Sequence, residues 1–153
     1  MSEKYIKFFE GFALAYGVAD MSTLKVDPES GKQKPDYRWN DEELTEQVYL
    51  NHLIGTQSIG VQPCNENSNA RFGVVDVDPK NYTNFDKKFF IDIIQNYNLP
   101  LIPILSKSGG LHLYLFMSEF VPAVLIRSFL SNLLPLFKLK PDCEIFPKQT
   151  QLT

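Results

Sequence analysis

Three short runs in this sequence gather residues able to handle phosphate. In RFGVVDVDPK, residues 71–80, an apolar run ends in Asp76 and Asp78. Strand side chains alternate faces, so the two carboxylates point to one side while Val75 and Val77 point to the other, roughly 7 Å apart along the chain. Two anions held so close call for cations or donors between them. A D-x-D at a strand end offers hard oxygen ligands to Mg²⁺ or Mn²⁺ and leaves positions open for phosphate. The same spacing also arises where one carboxylate caps a turn, here Asp78 before Pro79.

The second run is SKSGGLHLYLF, residues 106–116. Ser106, Lys107, Ser108 and His112 surround Gly109-Gly110, and hydroxyls, freed backbone N–H groups, an ammonium and an imidazole together form a phosphate-binding set. The alternative is an ordinary hairpin with a polar turn and a structural histidine. The third run, PDCEIF, sets Asp142 and Glu144 two positions apart, either in a solvated turn or as a further metal ligand. Glu144 is the better candidate, because it directly precedes the apolar Ile145-Phe146 pair and so lies inside a strand.

Elements to position these groups are legible in the spacing of apolar residues. Residues 4–16 place aromatic and apolar side chains three and four apart, which predicts a helix ending near Gly17, followed by a loop over 20–39. Asn40 with Glu43 resembles a capping box opening a helix that Gly55 stops. SIGVQP predicts a short strand, CNENSNA a turn and RFGVVDVD a central strand. Phe85, Phe89, Phe90, Ile93, Ile94 and Tyr97 fall on one helical stripe. Gly109-Gly110 suggests a two-residue hairpin turn with positive φ, which sets Lys107 opposite His112. Beyond it, His112, Tyr114 and Phe116 share one face and Leu111, Leu113 and Leu115 the other. Pro122 suits the first turn of a helix stopped at Pro135, and DCEIFPKQ reads as a short strand and a turn. The order of elements predicts an α/β (α+β) fold with a mainly antiparallel or mixed sheet, helices packed on one face and the opposite face open for a site.

The 153 residues fit one domain, with 44% apolar, 13% aromatic and 22% charged residues in the globular range. No segment approaches a membrane span and no cleavage site is clear, so a cytoplasmic protein with no membrane partner is expected. Cys64 and Cys143 are the only cysteines and no C-x-x-C occurs, so both read as reduced and structural and no zinc is expected. A net charge of −3 excludes duplex binding by charge alone. A polyanion would have to meet a local patch, for which Lys25, Lys32, Lys34 and Arg38 beside Tyr37 and Trp39 are the candidates, against a plain solvated loop.

Read together and in order, D-x-D, then S-x-S-G-G-x-H before an apolar strand, then an acid before an apolar pair, the chain resembles the archaeo-eukaryotic primase superfamily. It is most similar to the primase-polymerase domains of TOTE conflict systems and related phage enzymes, through NHLIG…GVQP, FGVVDVD, SKSGGLHLYLF and EIFPKQ, over roughly residues 45–150. The resemblance implies an RRM-like, palm-type catalytic core and a DNA primase or polymerase, a template-directed nucleotidyltransferase that joins nucleotides from NTPs or dNTPs on a single-stranded DNA template. It implies two divalent cations, Mg²⁺ or Mn²⁺, on Asp76, Asp78 and Glu144, and a triphosphate held by Ser106, Ser108 and His112. The similar hairpin of bacterial end-joining ligases carries a lysine where this chain has Gly109, so a cation on the triphosphate falls to Lys107 or, further off, Lys148. Residues 1–153 are expected to form a single such domain, with 1–44 a helical and loop part and 45–153 the catalytic core. Family members usually continue beyond the third acidic motif, so truncation and a further C-terminal domain, subunit or helicase are expected as well. Two other functions use the same residues: a nucleotide- or single-strand-binding module without turnover, and a metal-dependent nuclease.

Overall fold

In the computed structural model, which describes residues 2–29, 31, 33–107 and 109–151, RFGVVDV is a strand in which Phe72, Gly73, Val74 and Val75 are all buried and Asp76 alone opens the run before the buried Val77. In chain order the elements are α1 (Ser2–Phe8), β1 (Tyr16–Val26), β2 (Gln33–Asn40), α2 (Glu46–Leu53), β3 (Ile59–Gly60), β4 (Asn69–Val77), α3 (Lys87–Asn96), β5 (Ile102–Leu105), β6 (Leu111–Pro122), α4 (Ala123–Leu133) and β7 (Glu144–Phe146). They form two compact units, Met1–Gln62 and Pro63–Thr153. Among the described residues no helix is long and apolar enough to cross a membrane.

The second unit carries the expected α+β core. Its sheet runs β5-β6-β4-β7, and every pairing is antiparallel. Val75 and Val77 of β4, Leu111, Leu113 and Leu115 of β6 and Ile145 of β7 are buried with Phe90 and Ile94 of α3 and Ile126 and Leu130 of α4. This dry layer is the hydrophobic driving force of the unit, and it accounts for the strict alternation of β6. Asp76, His112, Tyr114 and Phe116, the residues between the buried ones, stay partly exposed. Arg127 of α4 donates hydrogen bonds to the carbonyls of Ile145 at 2.7 Å and Pro147 at 3.0 Å, which ties the short β7 to the helix behind it.

The first unit departs from the sequence reading. The helix predicted over 4–16 ends at Phe8, and Tyr16 opens a strand instead. Tyr16 and Val18 are buried while Gly17 lies against Gly60 of β3, a pairing far away in sequence that outweighs the local helical spacing. The predicted loop over 20–39 is the β1–β2 hairpin. Its residues are mostly exposed, so no hydrophobic alternation announces it. Asn40 is the last residue of β2 and not an N-cap; Thr45 caps α2, which ends just before Gly55 as expected. Pro122 is likewise the N-cap of α4 and not its first helical residue.

Candidate functional site

The antiparallel register of β4 builds the site. Asp76 lies opposite His112 on β6 and opposite Glu144 on β7, so three neighbouring strands bring one acid, one imidazole and a second acid into a row on the face away from the helices. Cross-strand neighbours of this kind stand about 4.5–5.5 Å apart at Cβ. His112 Nε2 is 3.5 Å from Asp76 Oδ1, at the edge of hydrogen-bonding range. Partial burial pushes the Asp76 carboxyl above the usual aspartate range; His112 and Lys148 pull against that shift, and Glu144 and Asp78 add to it. Asp76 therefore holds its negative charge at a cost, and an arriving cation would relieve that cost.

Asp78 sits where β4 runs into a 3-10 turn, Pro79–Asn81. Its carboxylate caps that turn through the Lys80 N–H at 3.1 Å and pairs with Lys80 Nζ at 2.9 Å. The capping alternative thus describes Asp78 in this state, yet the same carboxylate still lines the acidic cleft. Glu144 pairs with Lys148 Nζ at 2.6 Å, and that ammonium also lies 5.0 Å over the Phe146 ring. Asp76, Asp78 and Glu144 share a cleft of about 300 Å³ with Asp142, Lys80 and Lys140. Among the described residues no three His, Cys, Asp or Glu side chains stand close enough to hold one ion by themselves.

The hairpin between β5 and β6 differs from the two-residue turn expected. Leu105 pairs with Leu111 and Ile104 with His112, so Lys107 does not face His112; it lies exposed in the connecting loop. The Ser106 hydroxyl oxygen accepts the Gly110 N–H at 3.0 Å, Ser106 N–H donates to the Gly110 carbonyl at 3.0 Å, and these two bonds move the end of the ladder outward. Ser106 is thereby engaged in shaping the loop. Gly109 has φ +85°, the left-handed conformation expected of the turn. Gly110 is packed so closely that a Cβ there would stand 2.1 Å from the Val77 carbonyl and 2.8 Å from Pro79 Cδ. The loop is therefore seated against the strand end that carries Asp78. Ser108 lies outside the described residues.

Several cleft residues had no weight in the sequence reading. Lys80 was detectable, since Pro79 turns the chain so that the next lysine meets Asp78. Lys140 and Tyr82 come from loops with no motif. Cys143, read as structural, does pack as such: its thiol donates to the Asp76 carbonyl at 3.4 Å and bonds the Tyr82 hydroxyl, and burial pushes it above the usual thiol range. Burial and that thiol push Tyr82 up to about 12. The basic patch of the first unit is largely neutralised, with Lys25 paired to Asp36 at 3.0 Å and Lys34 to Asp27 at 2.6 Å. Tyr37 and Trp39 alternate with Asp36 and Arg38 on the exposed β2. Lys32 lies outside the described residues.

No curated protein matches this chain. A family model described as TOTE conflict system, Archaeo-Eukaryotic Primase domain matches residues 20–153, a span that takes in the D-x-D strand, the Ser-Gly-Gly hairpin with its histidine, and the acid of β7. With nearly the whole chain matched and the three motifs gathered on one sheet face, the chain belongs to the archaeo-eukaryotic primase domains of the TOTE conflict system type.

Proposed function

We propose that this chain is the catalytic core of a DNA primase or polymerase, which joins nucleotides from NTPs or dNTPs along a single-stranded DNA template with Mg²⁺ or Mn²⁺. The observation that carries the reading is the placement of Asp76 between His112 and Glu144 on adjoining strands. Divalent cations, when bound, stabilise the attacking and leaving oxygens of an in-line displacement at phosphorus. Asp76, Asp78 and Glu144 offer the oxygen donors such ions prefer, and an incomplete protein shell suits Mg²⁺, which keeps water and substrate phosphate among its ligands. Asp78 and Glu144 already hold ammonium groups where a harder cation would be accepted. Lys148, if released from Glu144, and His112, which faces Asp76, are the groups that would meet the oxygens of an incoming triphosphate. Lys107, on the exposed loop, meets the nucleotide only if that loop folds over it.

A binding module without turnover is the second reading. The two lysine–carboxylate pairs favour it, because ammonium groups of the chain itself balance Asp78 and Glu144. Purified protein incubated with Mn²⁺, a single-stranded template and nucleotides separates the two. Chain growth with pyrophosphate release is expected, and Asp76→Ala or Asp78→Ala should lower it by on the order of 10²–10³ or more. Triphosphate binding without incorporation supports the module. Absence of product, with nucleotide binding unaffected by either substitution, removes the catalytic proposal.

A further inference from the structure

A second cleft, of about 310 Å³, adjoins the acidic one and shares Tyr82 with it. Phe85 and Phe89 are its half-buried sides, and Phe90 and Phe137 its buried floor, stacked at 5.6 Å and 11°. Lys138 lies on its rim with Nζ 5.1 Å from the centre of the Phe89 ring, and Lys140 stands 5.9 Å over Tyr82, where the two clefts meet. Both lysines are exposed, and among the described residues neither is paired with a carboxylate, unlike Lys80 and Lys148. Thr83 and Asn84 add polar groups to the mouth, and the carboxylate of Asp86, which accepts the Lys88 N–H at 2.9 Å, adds one negative charge beside the two lysines.

Aromatic sides over an apolar floor, with polar groups at the mouth, fit a flat heteroaromatic ring whose edge bears hydrogen-bonding groups. Aromatic side chains stack on any base, and unpaired lysines beside them answer the phosphates that join bases. A nucleotide whose phosphates lie at the acids leaves this second cleft to its neighbour along a strand. We infer that the aromatic cleft takes an unstacked base of a single nucleic-acid strand, with Lys138 and Lys140 on the adjoining phosphates. The ligand's identity rests on the nucleotidyl-transfer reading, but the claim is about binding and is measured without turnover.

The test uses the full chain, a fluorescent oligothymidylate of about 12 nucleotides and EDTA in place of metal, read by anisotropy across a salt series. Phe85→Ala is expected to weaken binding about tenfold. Lys138→Glu should weaken it as well and make it less salt-dependent. A melting curve shows whether Phe85→Ala still folds, and the exposed Lys138 keeps the test decisive if it does not. The inference is overturned if the native protein fails to bind the oligonucleotide, or if Lys138→Glu and a folded Phe85→Ala bind it unchanged. It is overturned too if free thymidine triphosphate, and not the strand, is what these variants lose. Strand binding that depends on Phe85 and Lys138 in a protein that never incorporates nucleotides keeps the cleft and removes the catalytic reading; incorporation that ignores both residues does the opposite.

Discussion

Asp76 is the residue on which the interactions of the acidic cleft converge, and its raised pKa has a consequence for stability with a definite sign. Between the ordinary aspartate value, 3.8, and its raised value, the native chain binds more protons at this position than the unfolded one. Stability then falls as pH rises through that window, and the penalty stands in full above it. Asp76→Asn keeps the shape and removes the charge. It is expected to raise the melting temperature near neutral pH by about 1–3 °C and to make no difference well below the ordinary aspartate value, while nucleotide incorporation is lost. A melting temperature that drops at neutral pH would show that the native ionised carboxylate is net stabilising, through His112 or Lys148, and that burial does not dominate.

At the scale of elements, β7 is the weak member of the site, because its three residues carry Glu144 but share only one ladder with the sheet. Arg127 holds it from behind through two carbonyls. Arg127→Ala should cost about 1.5–3 kcal/mol in urea unfolding and should also weaken Mn²⁺ binding, although no atom of Arg127 is proposed to touch the metal. Unchanged Mn²⁺ affinity in the folded variant would show that β7 keeps its place unaided. The elements that were legible in the sequence carry a burial signal: β6, α3 and α4 each bury one face within the second unit, which imposes a period of 2 or 3.6, and β4 buries a short continuous apolar run. Those that were missed lack it. β1 follows α1 with aromatic spacings that continue a helix, and its pairings with β2 and with the distant β3 settle it as a strand. β2 is exposed along most of its length and shows no alternation. The hairpin loop was misjudged by three residues because a hydroxyl, Ser106, takes part in its closure, and turn dipeptides alone do not report that. For the acidic cleft, residue types and order were enough to single out Asp76, Asp78 and Glu144, with His112 facing Asp76 from the next strand, and Lys80 was within reach of the same reasoning; Lys140 and Tyr82 enter only through folding.

For the whole molecule, the net charge of −3 sets how it meets its ligands. The anionic partners we propose are drawn by local lysines and not by the overall field, so their affinity should respond to salt less steeply than that of a basic protein. Divalent cations, by contrast, meet a cleft rich in carboxylates. Ligands that bind only the native state raise its apparent stability by mass action, about 2.7 kcal/mol at a hundredfold excess over Kd. Thermal melts in increasing Mn²⁺ should therefore shift upward, EDTA should reverse the shift, and Asp76→Ala should abolish it. A shift that persists in Asp76→Ala places the ion elsewhere on the chain.

The opposition of Asp76 to both His112 and Glu144 has one more consequence. Strand faces alternate, so a slip of β4 by a single residue against its neighbours would turn Asp76 into the helix-packed layer and bring a valine to the open face. No slightly wrong version of the site exists between those two arrangements. Every chain that binds at this cleft has its sheet correctly assembled, so the fraction of a preparation able to bind doubles as a count of the molecules that folded true.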